Sequence, residues 1–281
     1  MDFTLSDDQQ LLADTARRLF DKECPPALVR AHIDDPDAYA PLWAHVREYA
    51  ALGAGPATDC CLFLDASGHA AAPGPLLATL LYTALVDGDG SEVGTVAVVD
   101  DPTMPFVLEV DRVERVAFVL PGPRVAVVEA RDVNASFVET VDFSRRLFAV
   151  DGDASRVDSA TGSTDALAAW RDRAHAYIAA ETTGTARRIF TMALQYAKER
   201  YQFDVPIGSF QAIQHKLAEM SLALERATAA VQYAAMTVDA AAPDRSRACH
   251  VAKAAAGEAA RRIVKDGIQI HGGIGYTWEH D

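Results

Sequence analysis

Between Arg200 and Met220 the chain reads RYQFDVPIGSFQAIQHKLAEM. One guanidinium (Arg200), two aromatic rings (Phe203 and Phe210) and two amides (Gln202 and Gln211) surround a Pro-Ile-Gly corner that opens straight into an amphipathic helical pattern. A second group stands at QIHGGIGYTWE, Gln269 to Glu279, where Gly272 and Gly273 let backbone come close to a ligand. Each residue taken singly has a plain structural reading. An arginine ending a helix complements the helix dipole, the phenylalanines fill a core, and the glycines make a C-cap turn. As two spaced groups, in order on long helices, they point instead to a binding site.

The net charge of the 281-residue chain is −14. Residues 165–281 hold 14 Lys or Arg against 13 Asp or Glu, whereas residues 1–164 hold 12 against 27, so an anionic ligand belongs on the C-terminal part. Nucleic acid is excluded as a partner, because phosphate binding needs a basic surface. The four cysteines (Cys24, Cys60, Cys61, Cys249) lack CxxC spacing, so neither a disulfide framework nor a metal site is expected. No apolar run approaches the roughly 18 to 20 residues of a membrane span, and the start MDFTLSDDQQ is acidic where a signal peptide is basic. A soluble cytoplasmic protein is the expectation.

The elements that must carry these groups fall into three textures. Up to about Val86 the pattern is helical, with Ser6 as an N-cap and Leu11, Leu12, Thr15 and Leu19 on one face of the first helix. From about Gly94 to Val150 it changes to short β-branched runs such as VGTVAVV, VERVAFVL and RVAVVEA between Pro, Gly and Asp turns. The stretch DGDASRVDSATGSTD is expected to be a polar linker. Three long Ala-rich helical stretches follow, the pattern of an antiparallel bundle. The expected fold is mainly α with a small β domain, divided into residues 1–88, 89–152 and 160–281.

With this element order, the two groups resemble the acyl-CoA dehydrogenase family, flavoproteins that remove two hydrogens across the α,β carbons of an acyl thioester. The match is specific at Arg200 to Met220 and Gln269 to Glu279, and looser over residues 165–281. Over residues 1–150 it rests on element order and the opening FTLSDDQQLL. The resemblance implies that Arg200 reaches across a subunit interface to the FAD pyrophosphate of a neighbouring chain. It implies that Gln202, Phe210, Gln211, Gln269, Gly272 and Gly273 line the rest of that site, and that Phe203 packs beside it. Asp204 stands where the family has glycine, and Asp tolerates left-handed backbone better than most residues.

Other family features are missing. No T-E-P-x-x-G-S-D segment, which holds the flavin ring, occurs between Leu80 and Val119, and the loop after EYAALG lacks P-E-x-x-G-G. The glutamate base occupies one of two family positions; the first is Ala174 here and the second lies beyond GYTWEHD. Asp172 matches an acidic residue used near the acyl-CoA, but the arginine expected three residues later is His175. Glu181, Glu219, Glu225 and Glu279 read as solvated or ion-paired carboxylates, and His215 and His271 stand beside the FAD motifs. No catalytic base is assigned.

The expectation is a subunit of an FAD-dependent acyl-CoA dehydrogenase that gives the interface half of a flavin site to a more complete partner chain. Shortened chains of this kind resemble those paired in heterotetramers for sterol side-chain degradation, with an electron-transfer flavoprotein or similar acceptor. Two alternatives stay open: a self-sufficient homomeric dehydrogenase, and a flavin-free scaffold subunit.

Overall fold

The computed structural model describes residues 3–99, 105–150 and 160–280. Five helices come first: α1 (Asp7–Glu23), α2 (Pro26–Asp34), α3 (Ala40–Val46), α4 (Ala57–His69) and α5 (Leu76–Val86). Ser6 caps α1 through a capping box closed by Gln9, as its sequence foretells. The inward face of α1 is shifted from the expected one: Leu12, Thr15 and Leu19 are half-buried, with Leu19 against the core, but Leu11 is not. Leu11 is 61% exposed, and Ala16 and Phe20 are buried in its place. Phe20 packs on Phe63 of α4, which draws the i, i+4 row of Ala16 and Phe20 inward and rotates Leu11 out.

Seven strands form two small sheets. β1 (Gly94–Val98) lies parallel to β3 (Arg115–Leu120), which pairs antiparallel with β4 (Arg124–Glu129). β7 (Ala160–Thr161) adds to the edge of β4. The second sheet has the order β2 (Phe106–Leu108), β6 (Leu147–Val150), β5 (Ala135–Val138). Val107, Val116, Phe118, Leu120, Phe148 and Val150 form the core between them. The expected linker is thus partly sheet: β7 pairs Thr161 with Arg124, and the backbone N–H of Gly162 donates to the carbonyl of Pro123. The remainder of that stretch, 151–159, lies outside the described residues.

Three long helices complete the fold: α6 (Thr164–Glu199), α7 (Gln211–Asp239) and α8 (Arg245–His271), of 36, 29 and 27 residues. Alanines on the facing sides of α6 and α8, among them Ala176, Ala180, Ala252 and Ala256, are buried and bring the helices close. The N-terminal helices share this core, since Phe63, Leu64 and Leu80 cluster with Tyr177 and Ala234.

α4 crosses α6 on a reciprocal pair of glycines. A Cβ on Gly68 would meet the Glu181 carbonyl oxygen at 2.0 Å, and one on Gly184 would meet the Asp65 carbonyl oxygen at 2.0 Å. The Thr185 hydroxyl donates to the Gly68 carbonyl across this contact at 3.0 Å. At the other end of α4, the Asp239 carboxylate closing α7 accepts from the backbone N–H groups of Ala57 and Thr58 at 2.5 and 3.0 Å, capping α4 from another helix.

A buried cluster ties the sheets to α2. Glu109 pairs with Arg112 at 2.9 Å, and Arg112 also donates to the Pro36 carbonyl and approaches His32. Arg145, in the β5–β6 connection, pairs with Glu181 of α6 at 2.7 Å. Among the described residues, no helix is long and apolar enough to cross a membrane.

Two outcomes are expected. Gly184→Ala should lower the thermal midpoint by overpacking the α4–α6 crossing, at a cost of about 1–3 kcal/mol or more, readable by calorimetry. His32 is held down to about 4, first by burial and then by Arg112 and Arg146. Its folded pKa lies below the unfolded value, so the protein should lose stability as pH falls from about 6.5 toward 4. His32→Phe should flatten that part of a Tm-against-pH profile.

Candidate functional site

The site residues named from sequence divide into two groups. Arg200 is the C-cap of α6, its backbone N–H bonded to the Tyr196 carbonyl at 2.8 Å and its side chain exposed. Among the described residues its guanidinium has no ion pair. The chain then makes a two-stranded hairpin, β8 (Tyr201–Gln202) and β9 (Val205–Pro206), around Phe203 and Asp204. Both turn residues have positive φ, 54° and 65°. A two-residue hairpin loop with left-handed backbone at both positions is the type I′ geometry. Asp204 therefore occupies the left-handed backbone that its family alternative, glycine, adopts freely. Phe203 is 87% exposed, with its ring edge-on to that of Phe210 at 6.3 Å.

Gln211 opens α7, whose N-cap Phe210 offers no side-chain acceptor. The Ile213 and Gln214 N–H groups bond to the Phe210 carbonyl at 3.0 and 3.1 Å, which leaves those of Gln211 and Ala212, ahead of them in this 29-residue helix, to meet an anion. Gln202 and Gln211 are exposed, the Gln202 amide resting on the Tyr201 carbonyl at 2.8 Å.

The antiparallel bundle returns the second group to the same end. His271 at the end of α8 lies against Tyr196 of α6, ring centres 4.7 Å apart, and Asp266 of α8 pairs with Lys216 of α7 at 2.7 Å. Gln269 is exposed in the last turn of α8. Gly272 follows at φ 64° and ψ −137°, a backbone open in practice only to glycine, and a Cβ on Gly272 or Gly273 would meet nothing within 4 Å. Tyr201, Ile274 and Tyr276, in the same two segments, are exposed, whereas Trp278 turns back to Phe143, ring centres 5.7 Å apart, and its carbonyl accepts from Arg30 at 2.9 Å.

Asp172 and His175 lie elsewhere. They are 27 and 24 helical residues from the Glu199 end of α6, or about 36–40 Å at 1.5 Å per residue. Asp172 is buried and bonded to Arg245 of α8 at 3.0 Å. His175 is half-buried, its ring 4.7 Å from that of His250. Burial, and then His250, hold the His175 imidazole below its ordinary pKa. With Arg171, Ser246 and the Pro121–Pro123 turn these residues line a polar cleft of about 480 Å³. Arg245, Ser246 and His250 escape sequence reasoning, since nothing in α8 announces a partner seventy residues upstream.

The other carboxylates have separate positions. Glu181 is taken by Arg145 and Glu219 by Arg262, while Glu225 and Glu279 are exposed. His215 is exposed, whereas His271 is buried with Nδ1 2.8 Å from the Gly267 carbonyl. No group of three or more metal-ligating side chains occurs among the described residues. The four cysteines are buried and free.

A family model described as "Acyl-CoA dehydrogenase, C-terminal domain" matches residues 171–281. The acyl-CoA dehydrogenase IpdE2 of Mycolicibacterium smegmatis is 31% identical over 300 residues, covering 99% of this chain and 90% of that protein. Among solved structures, a variant of the Tcur3481-Tcur3483 steroid ACAD superposes with a TM-score of 0.84 at 24% identity, covering 99% of this chain and 90% of that one. The ChsE4-ChsE5 complex of Mycobacterium tuberculosis gives 0.80 at 23% identity, covering 100% and 90%.

The Asp172–Arg245 pair supplies a test of cleft integrity. Arg245→Ala should leave a buried carboxylate unpaired and cost about 1.5–3 kcal/mol. Arg245→Ala combined with Asp172→Ala should cost less than the sum of the single changes, as chemical denaturation of all three variants would show.

Proposed function

Because the chain belongs to the acyl-CoA dehydrogenase family, whose members are FAD-dependent oxidoreductases, we propose that it works as one subunit of a mixed assembly. It gives Arg200, Gln202, Phe203, Phe210, Gln211, Gln269, Gly272 and Gly273 to a flavin site completed by a second chain. The observation that carries this reading is their position. All stand at one end of the bundle, and Arg200, Gln202, Phe203, Phe210, Gln211, Gln269 and Gly273 are exposed there. The chain's own polar cleft lies about 40 Å away along α6. A cofactor at that end would serve chemistry performed by another chain.

The residues fit one half of a dinucleotide site. Arg200 offers an unpaired fork suited to a diphosphate, and the uncapped start of α7 adds backbone donors. Gly272 and Gly273 leave open space for close approach. When bound, FAD supplies the acceptor for the β-hydride while a carboxylate takes the α-proton. This chain holds and orients the cofactor; with Ala174 at one family position of the base, the partner chain supplies the carboxylate. Asp172 and His175 mark the weaker, separate claim on an acyl-CoA.

The name of the Tcur3481-Tcur3483 steroid ACAD favours a steroid-derived acyl-CoA as substrate, and the ChsE4-ChsE5 complex favours an assembly of unlike chains; a heterotetramer and an electron-transfer flavoprotein or similar acceptor belong to the same proposal. The division into an N-terminal helical unit (1–88), a reduced β unit (89–152) and a C-terminal bundle (160–281) belongs to the same proposal.

The test is to purify the chain alone and with its partner, then measure FAD per protein and dye reduction by an acyl-CoA. The lone chain should be flavin-free and the pair should hold one FAD per two unlike chains. In the pair, Arg200→Ala should weaken FAD binding about ten- to a hundredfold with helix content unchanged. Stoichiometric flavin and turnover from the lone chain would restore the homomeric enzyme, and a flavin-free pair would leave the scaffold reading.

A further inference from the structure

Arg173 of α6 is held at one end of its guanidinium and open at the other. Its Nη1 donates to the Gly55 carbonyl, in the turn before α4, and to the Tyr177 hydroxyl at 3.0 Å, and it lies 3.4 Å from the Gly53 carbonyl. The Tyr177 hydroxyl donates in turn to the Gly53 carbonyl at 2.9 Å, which closes the arrangement. Every one of these partners is neutral. Among the described residues no carboxylate pairs with this half-buried guanidinium, and Nε and Nη2 have no partner. Those two nitrogens form the edge that grips a carboxylate side-on through parallel hydrogen bonds. Partial burial of a cation with no counter-charge is destabilising, and a bound anion removes that cost.

Arg173 lines a cavity of about 670 Å³ between the end of α5, β4 and the start of α6. That volume lies within the range of small-molecule sites. Leu85, Val125, Val127, Leu167, Trp170 and Val238 make its walls apolar, with the Trp170 ring fixed by its Nε1 hydrogen bond to the Leu81 carbonyl at 3.0 Å. The other charged groups on the lining are Asp87 and Arg245. Arg245 is balanced by Asp172 at 3.0 Å, and Asp87 is exposed, so water and salt screen it. The cavity therefore presents apolar walls and one cation without a counter-charge.

We propose that this cavity binds a small apolar monocarboxylate, an aromatic or alicyclic acid whose carboxylate takes the Nε–Nη2 edge of Arg173 and whose ring lies against Trp170 and the valines of β4. One open edge selects one carboxylate, since a second charge on the ligand would meet apolar wall. A thioester or ester has no charged oxygen and loses the charge-assisted pair, so the site prefers the free acid. Nη1 is already fixed by neutral acceptors, so the fork is oriented before the ligand arrives and little side-chain entropy is lost on binding. Binding here needs neither a flavin nor a second chain, and its outcome is separate from FAD content at Arg200.

The experiment is calorimetric titration of the full chain at neutral pH with naphthalene-2-carboxylate and, separately, with its neutral isostere naphthalene-2-carboxamide. The acid should bind about ten- to a hundredfold more tightly than the amide, the worth of a charge-assisted contact. Arg173→Met keeps an apolar stem and should bring the acid down to the affinity of the amide while leaving the amide as it was. Arg173→Lys, which keeps the charge and loses the fork, should retain only part of the preference, and it serves where the Met variant fails to fold. Ala166→Phe, at an exposed position on the cavity wall, should weaken both ligands, which locates them in this cavity. Equal affinity of acid and amide, absence of binding, a preference undiminished in either Arg173 variant, or indifference to Ala166→Phe would each overturn the proposal.

Discussion

Everything that positions this protein's polar groups depends on how closely α4 can lie across α6. Gly68 and Gly184 face one another's helices with carbonyl oxygens where side chains would otherwise stand. Without that contact the N-terminal helices would stand off from the bundle, and their shared core of Phe63, Leu64, Leu80 and Tyr177 would open. The crossing also places Glu181 where Arg145 of the β region reaches it. Three parts of the chain are thus referenced to the middle of one helix. That helix then fixes a long baseline, with the Asp172 cleft toward one end and Arg200 at the other.

Much of the fold was legible because it is written in local chemistry. Ser6 and Gln9 announce the start of α1, and the alternation in VERVAFVL and RVAVVEA announces β3 and β4. The long helices are legible from alanine-rich periodicity, and the RYQF corner from its punctuation. The failures were tertiary. Leu11 satisfies the periodic pattern as well as Ala16 does, and only the position of Phe63 decides which row turns inward. The strand Ala160–Thr161 is two residues long and exists because β4 has a free edge beside it.

The site was legible to the same extent and for the same reason. Arg200 with Gln211, and Gln269 with Gly272, are close in sequence, and bundle topology alone brings the two groups together. Arg245, Ser246 and His250 join Asp172 and His175 only because α8 lies against α6, and no spacing rule reports this. The charge asymmetry sends attention to the C-terminal part, but it does not separate the proposed flavin end from the polar cleft. The two lie on the same helices and differ in what their polar atoms lack. Arg200 lacks a counter-charge, whereas His175 lacks a hydrogen-bond partner at Nδ1.

The left-handed pair at Phe203 and Asp204 has a bearing on speed. A bulky aromatic at positive φ is held there by the Tyr201–Pro206 and Gln202–Val205 pairings and by the start of α7. The backbone that carries the ring is therefore set before any encounter, and in the assembly proposed above docking need not wait for a loop to order. A tip of this kind favours rigid-body capture, with specificity decided by whether the opposing surface has a recess of matching depth. Loosening the turn would slow productive encounters without removing any contact from the finished assembly.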